Sequence, residues 1–299
     1  MKLTKEWFVQ APWGNIAVVS WGSPNGHPVL MVHGRQDSAA TFIPLVECLP
    51  DKYYFVAIDL PGNGKSDSFP AGLPVWRYYY LGAIDIVVKH LQWIKFIYIS
   101  HSMGCELGLF FNAIRPGMIT KMVHLDPVPT FQRLQNSEDP ELYYKTFFEN
   151  FYTDYENRNY YFKVYTKRKA LDAVKRARQL TEELAEIILE RNLIALGDGH
   201  YRLSWDRRTA DCVPQNYPNE YYADLFCTAP PLIAFHMSNG HKGIMDGRDS
   251  GLYLLETLKS RPNSAVYDME GEHDAHLNPR DMVDRITEFL DKDLRKSKL

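Results

Sequence analysis

The sequence predicts an α/β fold, a mostly parallel, doubly wound sheet that is interrupted by an inserted helical cap. Short β-branched and aromatic runs alternate with amphipathic helical patterns in the N-terminal half of the chain. Polar residues and glycines gather directly after the predicted strands, where parallel sheets place their ligands. Residues 130–228 instead combine aromatic and charged residues with helical periodicity and contain no run typical of a buried strand. We therefore assign residues 1–129 and 229–299 to the core and residues 130–228 to the cap.

The core elements are predicted from local patterns along the chain. Alternating apolar and polar residues on both sides of Pro12-Trp13-Gly14 predict an antiparallel hairpin at the start. Continuous apolar runs, several of them closed by glycine or proline, predict buried strands at residues 28–33, 53–59, 96–99, 121–125, 231–237 and 264–269. Apolar residues at helical spacing predict helices at residues 41–49, 79–93, 106–111, 168–192 and 281–290.

Composition argues against several classes of protein. The chain has 299 residues, of which 45% are hydrophobic and 24% are charged, and its formal net charge is −3. Such mild acidity disfavours nucleic acid or an anionic membrane as a partner, and no apolar run approaches the roughly 18–20 residues of a membrane span. The N-terminal residues MKLTKEWFVQ lack the apolar core of a secretory signal. Four widely spaced cysteines, without a C-x-x-C pair, predict neither a disulfide framework nor a zinc site. The function that we expect below implies no metal and no organic cofactor.

The run FIYISHSMGCELGLFF at residues 96–111 is the most informative segment. Ser102 lies between a predicted strand and a predicted helix, with the small residues Ser100 and Gly104 two positions on either side. A strand that turns sharply into a helix needs small residues there, and it exposes the central side chain with the following N–H groups pointing at it. This is the pattern of a nucleophile elbow, with serine at the position of the first glycine. The alternative is that Ser102 only caps the helix.

A serine nucleophile needs a base to accept its proton, and in elbow enzymes the chain order is serine, acid, histidine. The base is expected between the last strand and the last helix, where the chain has two histidines, His273 and His276. Gly271 allows the loop to bend just before His273, so we assign His273 as the base. His276 is the alternative, but its position beside Leu277 and the last helix is typical of a packing residue.

The acid that orients the base has two candidates. The commonest place for it is directly after the strand at 231–237, but there the chain has Ser238-Asn239-Gly240, without a carboxylate. Asp126 at the end of the strand at 121–125 can reach the same imidazole, because that strand lies beside the elbow strand. We therefore prefer Asp126 as the acid and keep Asp246 as the alternative. Asp126 could otherwise cap the turn before Pro127.

Two backbone N–H groups are expected to bind the oxyanion of an acyl-transfer intermediate. One belongs to Met103, the residue after the nucleophile, and the other to Arg35 in the loop after the strand at 28–33. The Arg35 side chain could in addition bind an acidic substrate group. We also assign substrate contacts to three residues beside these donors: His33, Gly34 and His101.

Five segments together resemble the serine hydrolase-like (Kraken-type) family of the α/β hydrolase superfamily. They are HGRQDSAATF at 33–42, AIDLPGNGKS at 57–66, the elbow, HYRLSWD at 200–206 and the C-terminal histidine loop at 271–277. The resemblance covers nearly the whole chain. It implies an α/β hydrolase fold with a helical cap and a Ser-His-acid triad.

The expected function is hydrolysis of a carboxylic ester, or of a thioester, of a small apolar or aromatic compound. The cap should roof the binding site and choose the substrate, because it is rich in aromatic residues: Tyr143, Tyr144, Phe147, Phe148, Phe151, Tyr152, Tyr160, Tyr161 and Phe162. Two alternatives stay open. The Ser-His-Ser elbow also resembles the cofactor-free ring-cleaving dioxygenases of this fold, and the missing carboxylate near Asn239 fits a binding protein without turnover.

The chain ends in Ser297-Lys298-Leu299, with Arg295 and Lys296 just upstream. A terminal Ser-Lys-Leu is the tripeptide that the peroxisomal import receptor reads. Most of the last nine residues are charged, which favours an extended and accessible tail. We therefore expect the import receptor as a partner and the peroxisome as the location, with the cytoplasm as the alternative.

Overall fold

The computed structural model describes residue 2 and residues 4–134, 139–157, 162–240 and 250–292. Several predicted positions lie outside these described residues: Asp246, the tripeptide Ser297-Lys298-Leu299, and the cap aromatics Tyr160 and Tyr161. Among the described helices, none is long and apolar enough to cross a lipid bilayer.

The strands form one large sheet and one small sheet. In chain order they are β1 Thr4–Ala11, β2 Gly14–Trp21, β3 His27–Val32, β4 Tyr53–Ile58, β5 Phe96–His101, β6 Ile119–Leu125, β7 Tyr165–Thr166, β8 Leu193–Gly197, β9 His200–Leu203, β10 Leu232–Met237 and β11 Ser264–Met269. The large sheet has eight strands in the order β1-β2-β4-β3-β5-β6-β10-β11. β2 is antiparallel to both β1 and β4, and all other neighbours are parallel. The predicted, mostly parallel sheet with an N-terminal hairpin is confirmed.

The α-helices cover both faces of the large sheet and build the cap. In chain order they are α1 Ile43–Cys48, α2 Tyr79–His90, α3 Met103–Ile114, α4 Val128–Phe131, α5 Pro140–Tyr144, α6 Asn150–Glu156, α7 Lys167–Arg178, α8 Glu182–Asn192, α9 Asn219–Phe226, α10 Ser250–Lys259 and α11 Arg280–Asp291. A π-helical turn at Lys145–Glu149 and 3₁₀ turns at Ala39–Phe42, Arg207–Asp211 and Ala275–Leu277 complete the helical elements.

The apolar runs of the central strands are explained by burial on two faces. In β3, Leu30 and Val32 pack into the core on the side of α2, α3 and α10. Val29 and Met31, which point the opposite way because side chains alternate along a strand, pack on the side of α1 and α11. All four side chains are fully buried. A strand buried on both faces has no polar alternation, which is why the sequence shows a continuous apolar run.

The segment between β6 and β10 contains helices α4 to α9 and a small sheet of order β7-β9-β8. The sequence shows no run typical of a buried strand there, and these three strands were not predicted. The reason is that they are short and half-buried to exposed, so they lack a continuous apolar run. The signal that was present is the turn Gly197-Asp198-Gly199 between β8 and β9, whose three residues all have positive φ.

Helix α8 fastens the cap to the core through buried polar contacts. The Arg191 guanidinium pairs with Asp59 at the end of β4, with 2.7 Å between Nη2 and Oδ2. Asn192 donates to the Ser38 hydroxyl at 3.0 Å. Asp59 in turn accepts hydrogen bonds from the N–H groups of Ala39 and Lys65. These contacts hold α8 against the loop that follows β3, which is the loop that carries Arg35.

Candidate active site

Ser102 occupies the sharp turn between β5 and α3. Its backbone has φ 50° and ψ −123°, a left-handed conformation that costs a non-glycine residue energy and is typical of a nucleophile elbow. A β-carbon at Gly104 would lie 2.2 Å from the carbonyl oxygen of Val32, so only glycine lets α3 start this close to β3. The side chain of Ser102 therefore lies at the C-terminal edge of the sheet. The backbones of the two strands beside β5 contact the turn that carries Ser102.

The serine at position 100, where most elbows have glycine, is accommodated by the packing. Its hydroxyl points to the carbonyl oxygen of Val123 on β6 at 3.4 Å and to the Cys105 sulfur at 3.5 Å. Both contacts lie beneath the turn and are buried. With serine at this position, Ser102 Oγ still lies 2.9 Å from His273 Nε2.

Three of the predicted residues form a continuous chain of contacts. The Ser102 Oγ lies 2.9 Å from His273 Nε2, and His273 Nδ1 lies 2.6 Å from Asp126 Oδ2. In the tautomer that carries its proton on Nδ1, His273 donates to the carboxylate and accepts from the serine hydroxyl. The three residues are far apart in the chain and come from the turn after β5, the turn after β6 and the loop after β11. This is the arrangement that a Ser-His-Asp triad requires.

The Asp126 carboxylate is buried and held by two partners. Its residue is 1% exposed, Oδ1 accepts from the N–H of Met237 at 3.1 Å, and Oδ2 faces His273. A β-carbon at Gly240 would lie 1.9 Å from Oδ2. The segment Ser238-Asn239-Gly240 directly after β10, which lacks a carboxylate, therefore has a glycine where the carboxylate that follows β6 needs the space.

His101 and His276 form a stack beside His273. The ring centroid of His101 lies 4.5 Å from that of His273 and 4.0 Å from that of His276. His101 donates from Nε2 to the carbonyl oxygen of His273 at 3.1 Å, and His276 Nε2 contacts the Thr41 hydroxyl at 2.6 Å. His276 packs under the site, as the sequence analysis expected, and His101 supports the backbone of His273.

The predicted oxyanion donors flank Ser102. Arg35 and Met103 both line the cavity in front of Ser102, and Met103 begins α3, so its N–H has no partner within the helix. Gly34 packs directly against Ser102, since a β-carbon there would lie 2.8 Å from the serine Cβ. The Arg35 side chain turns to the cap, where Nη1 donates to the carbonyl oxygen of Ala210.

The prediction that His33 contacts substrate is at odds with its position. The residue is completely buried, Nδ1 contacts the Gly34 carbonyl oxygen at 2.6 Å, and Nε2 accepts from the N–H of Leu60 at 2.9 Å. Both ring nitrogens are thus used by the backbone, and the ring lies beneath the loop rather than in the cavity. His33 shapes the loop after β3 by joining it to the turn after β4.

The site opens into a cavity of about 670 Å³ between the core and the cap. Seven of the 23 residues in its described lining carry charged side chains: Arg35, Arg77, Arg133, Arg178, Asp37, Glu272 and Asp274. Of the cap aromatics singled out from the sequence, Phe147 is the one placed in this lining, and Trp205 adds a second aromatic ring. Most of the other described cap aromatics pack within the cap or face solvent. The cavity is more polar than the sequence led us to expect.

The site contains two clusters of charged residues that were not predicted from the sequence. Glu106 on α3 is fully buried and accepts two hydrogen bonds from Arg77 Nη1, at 2.8 and 3.0 Å, and one from the Thr130 hydroxyl. Burial raises the pKa of Glu106, while Arg77 opposes that effect. Arg178, at the end of α7, reaches the carboxylates of Asp37 and Asp274. These partners are far apart in the chain, so local patterns held no signal for them.

Ligand atoms of His101, Asp274 and His276 lie within 4.8 Å of one another, the spacing of a potential metal site. However, Arg178 Nε and Nη2 already bind the two carboxylate oxygens of Asp274, at 2.8 and 2.5 Å. A metal ion would have to displace this guanidinium. These residues therefore fit the Arg178 guanidinium, a cation that the protein itself supplies, better than a bound metal ion.

Buried neutral histidines should make stability depend on pH. Burial lowers the pKa of His276 to about 4 and the pKa of His124 to about 3, from an ordinary value of 6.5. Below about pH 6.5 the unfolded chain therefore binds more protons than the folded one, and the free energy of unfolding falls as the pH drops towards 4. Each such histidine contributes up to about 1.4 kcal/mol per pH unit in this window. Urea unfolding at pH 7, 6 and 5 should show progressively lower midpoints.

His124 allows a direct check of this pH dependence. It is completely buried, and neither ring nitrogen has a hydrogen-bond partner among the described residues. His124→Leu should therefore fold and should flatten the pH dependence between 6.5 and 4. His90→Leu, at an exposed position, is the matched control and should leave the slope as it is. An unchanged slope in His124→Leu would contradict the assignment.

Comparison with known proteins identifies the family. A family model described as the alpha/beta hydrolase fold matches residues 27–233, more than half of the chain. The chain belongs to the α/β hydrolase family. The fold and the family resemblance inferred from the sequence are thereby confirmed.

Two relatives of this α/β hydrolase are named serine hydrolase-like proteins. It is 30% identical over 310 residues to the serine hydrolase-like protein of Danio rerio, across 97% of this chain and 89% of that protein. It is 27% identical over 297 residues to serine hydrolase-like protein 2 of Homo sapiens, across 96% of this chain and 94% of that protein. Among solved structures, a hypothetical protein of Pseudomonas aeruginosa PAO1 superimposes with a TM-score of 0.79 at 22% identity, covering 96% of this chain and 98% of that one. This last likeness concerns the fold alone.

Proposed function

We propose that this α/β hydrolase is a serine hydrolase that cleaves a carboxylic ester or a thioester through an acyl-enzyme on Ser102. The observation that carries the proposal is the contact chain from Ser102 Oγ through His273 to Asp126, with separations of 2.9 and 2.6 Å. The names of the serine hydrolase-like relatives are consistent with it.

The reaction follows from the contacts of these residues. His273 Nε2 accepts the proton of Ser102 as Oγ attacks the acyl carbon, and Asp126 stabilises the imidazolium that forms. The N–H groups of Arg35 and Met103 hold the negative oxygen of the tetrahedral intermediate. His273 then gives its proton to the departing alcohol or thiol. A water molecule, deprotonated by His273, attacks the acyl-enzyme and releases the acid and free Ser102.

The cavity lining supports a substrate that carries polar or anionic groups. Arg35, Arg77, Arg133 and Arg178 all line it. Arg77 and Arg178 are paired with buried carboxylates and Arg35 with a carbonyl oxygen, but a guanidinium has five N–H donors and can bind a further acceptor on a substrate. Phe147 and Trp205 offer apolar contact on the cap side. A purely apolar or aromatic substrate has less support, because it would remove water from the charged groups of the lining without offering them hydrogen bonds.

A matched substrate pair tests both the reaction and the substrate class. p-Nitrophenyl hexanoate and the mono-p-nitrophenyl ester of adipic acid have acyl chains of equal length, and the second ends in a carboxylate instead of a methyl group. This carboxylate is too far from the ester carbonyl to displace nitrophenolate by itself. We expect hydrolysis with a higher kcat/KM for the adipate ester, and stoichiometric labelling of Ser102 by a fluorophosphonate, read by mass spectrometry of the Ser102 peptide. A pure, folded protein that is never labelled and cleaves no member of a broad ester and thioester panel would contradict the proposed function.

A further inference from the structure

The Arg178 side chain links the cap to two separate loops of the core. Arg178 is the last residue of α7, and its Nε lies 2.8 Å from Asp274 Oδ2, while Nη2 lies 2.5 Å from Asp274 Oδ1 and 2.9 Å from Asp37 Oδ2. One guanidinium thus binds Asp274 with two nitrogens and Asp37 with one of them. Such forked contacts fix both the distance and the angle between the groups they join.

Each of the two carboxylates belongs to a different part of the site. Asp274 directly follows His273, so the position of its backbone is tied to that of the imidazole. Asp37 lies two residues after Arg35, in the loop that carries the proposed oxyanion donor, and its Oδ1 accepts from the N–H of Ser38 at 2.8 Å. Arg178 therefore spans the base and the oxyanion donor, the two groups whose placement around Ser102 decides the reaction.

Because these charged groups are largely buried, each of them needs its partner. Asp37 is 1% exposed and Asp274 is 8% exposed, while the Arg178 side chain is 16% exposed. Burial alone would raise the pKa of Asp274, but the Arg178 guanidinium outweighs that effect and holds this pKa at about 2. Without Arg178, two buried carboxylates would face each other with no counter-charge, and the loops that carry them would move apart or take up water.

We propose that Arg178 is a positioning residue, through which docking of the cap holds the His273 loop and the Arg35 loop in register with Ser102. This inference rests on the proposed function, since it assigns Arg178 a role in the same acyl transfer. The described hydrogen bonds of Arg178 go to Asp37 and Asp274 and not to the nucleophile or the base, so Arg178 acts on both through their loops. The cap then assembles the site in addition to covering it.

The rate at which a small fluorophosphonate labels Ser102 tests the role, because such a probe needs the triad and the oxyanion donors but few contacts with the cap. Arg178→Ala should lower the second-order labelling rate by about 10- to 100-fold, the range expected when reacting groups shift by about 1 Å. Arg178→Lys should fall between, since an ammonium supplies the charge without the fork. Guanidinium ion at millimolar concentration should restore part of the rate in Arg178→Ala.

Arg176→Ala is the matched control. Arg176 lies on the same helix, is exposed, and donates to the carbonyl oxygen of Asp172 in its own helix at 3.2 Å. It should keep the labelling rate of the native protein and should show no response to guanidinium ion. Thermal unfolding of each variant, measured in parallel, separates loss of folded protein from loss of rate in the folded protein.

Hydrogen exchange gives a readout that does not depend on activity. In folded Arg178→Ala, peptides covering residues 33–42 and 270–278 should both exchange faster than in the native protein. If Arg178→Ala does not fold, Arg178→Lys and Asp37→Asn carry the same comparison. Equal labelling rates and equal exchange in native and variant protein would overturn the positioning role. Failure of the native protein to be labelled would instead overturn the proposed function, and the exchange of the two loops would still decide the role of Arg178.

Discussion

Ser102→Ala is expected to abolish ester hydrolysis and fluorophosphonate labelling, with kcat falling by about 10⁶. The reason is that Ser102 Oγ, 2.9 Å from His273 Nε2, is the atom that forms the acyl bond in the proposed reaction. His273→Ala should lower kcat by a similar factor, and the double variant should be no worse than either single one, because nucleophile and base act as one unit. Steady-state kinetics on the best substrate of the matched pair, with purified variants of checked fold, measures all three.

Ser100→Gly provides the control for the elbow. It changes a buried serine two residues away, restores the more common elbow glycine, and loses only the weak contacts with Val123 and Cys105. It should keep most of the activity.

A different pattern of activities among the Ser102 and His273 variants would change the reaction class. If Ser102→Ala stays active while His273→Ala is dead, and oxygen is consumed with the substrate, the chemistry is that of a cofactor-free dioxygenase.

Local rules predicted which residues lie together at one edge of the sheet. The elbow around Ser102 follows from the small residues on either side of a strand-to-helix turn, and the position of His273 follows from its place between β11 and α11. Asp126 followed from strand adjacency, since β6 pairs with β5 in the sheet. In each case short-range geometry and chain order were enough to bring the residues to one edge of the sheet.

What the sequence could not provide is the direction of side chains and the docking of the cap. His33 lies one residue after β3, and no local sequence pattern indicates that its ring turns inwards to accept a hydrogen bond from the N–H of Leu60. The contacts of Arg178 with Asp37 and Asp274 join residues 141 and 96 positions apart. Such pairs depend on how α7 lies over the core, which no local pattern encodes. The polar character of the cavity was missed for the same reason.

Asp126→Asn is expected to lower kcat by about 10⁴, with little effect on the overall fold. The asparagine keeps the shape of the side chain, but its amide can donate to His273 Nδ1 and so favours the imidazole tautomer that carries its proton on Nε2. That tautomer cannot accept the proton of Ser102. Asp268→Asn is the matched control, because Asp268 also contacts a histidine Nδ1, that of His236 at 3.0 Å, but on an exposed edge of the sheet. It should leave kcat unchanged.

Gly240→Ala tests the same carboxylate from the neighbouring loop. The added β-carbon would lie 1.9 Å from Asp126 Oδ2, so the carboxylate must leave its line with His273, and kcat should fall even though every triad residue is intact. Asp246→Asn should have little effect if Asp126 is the acid. The opposite result, a silent Asp126→Asn and a dead Asp246→Asn, would move the acid to Asp246. In that case the space at Gly240 would need another explanation, because Asp126 is the group that fills it now.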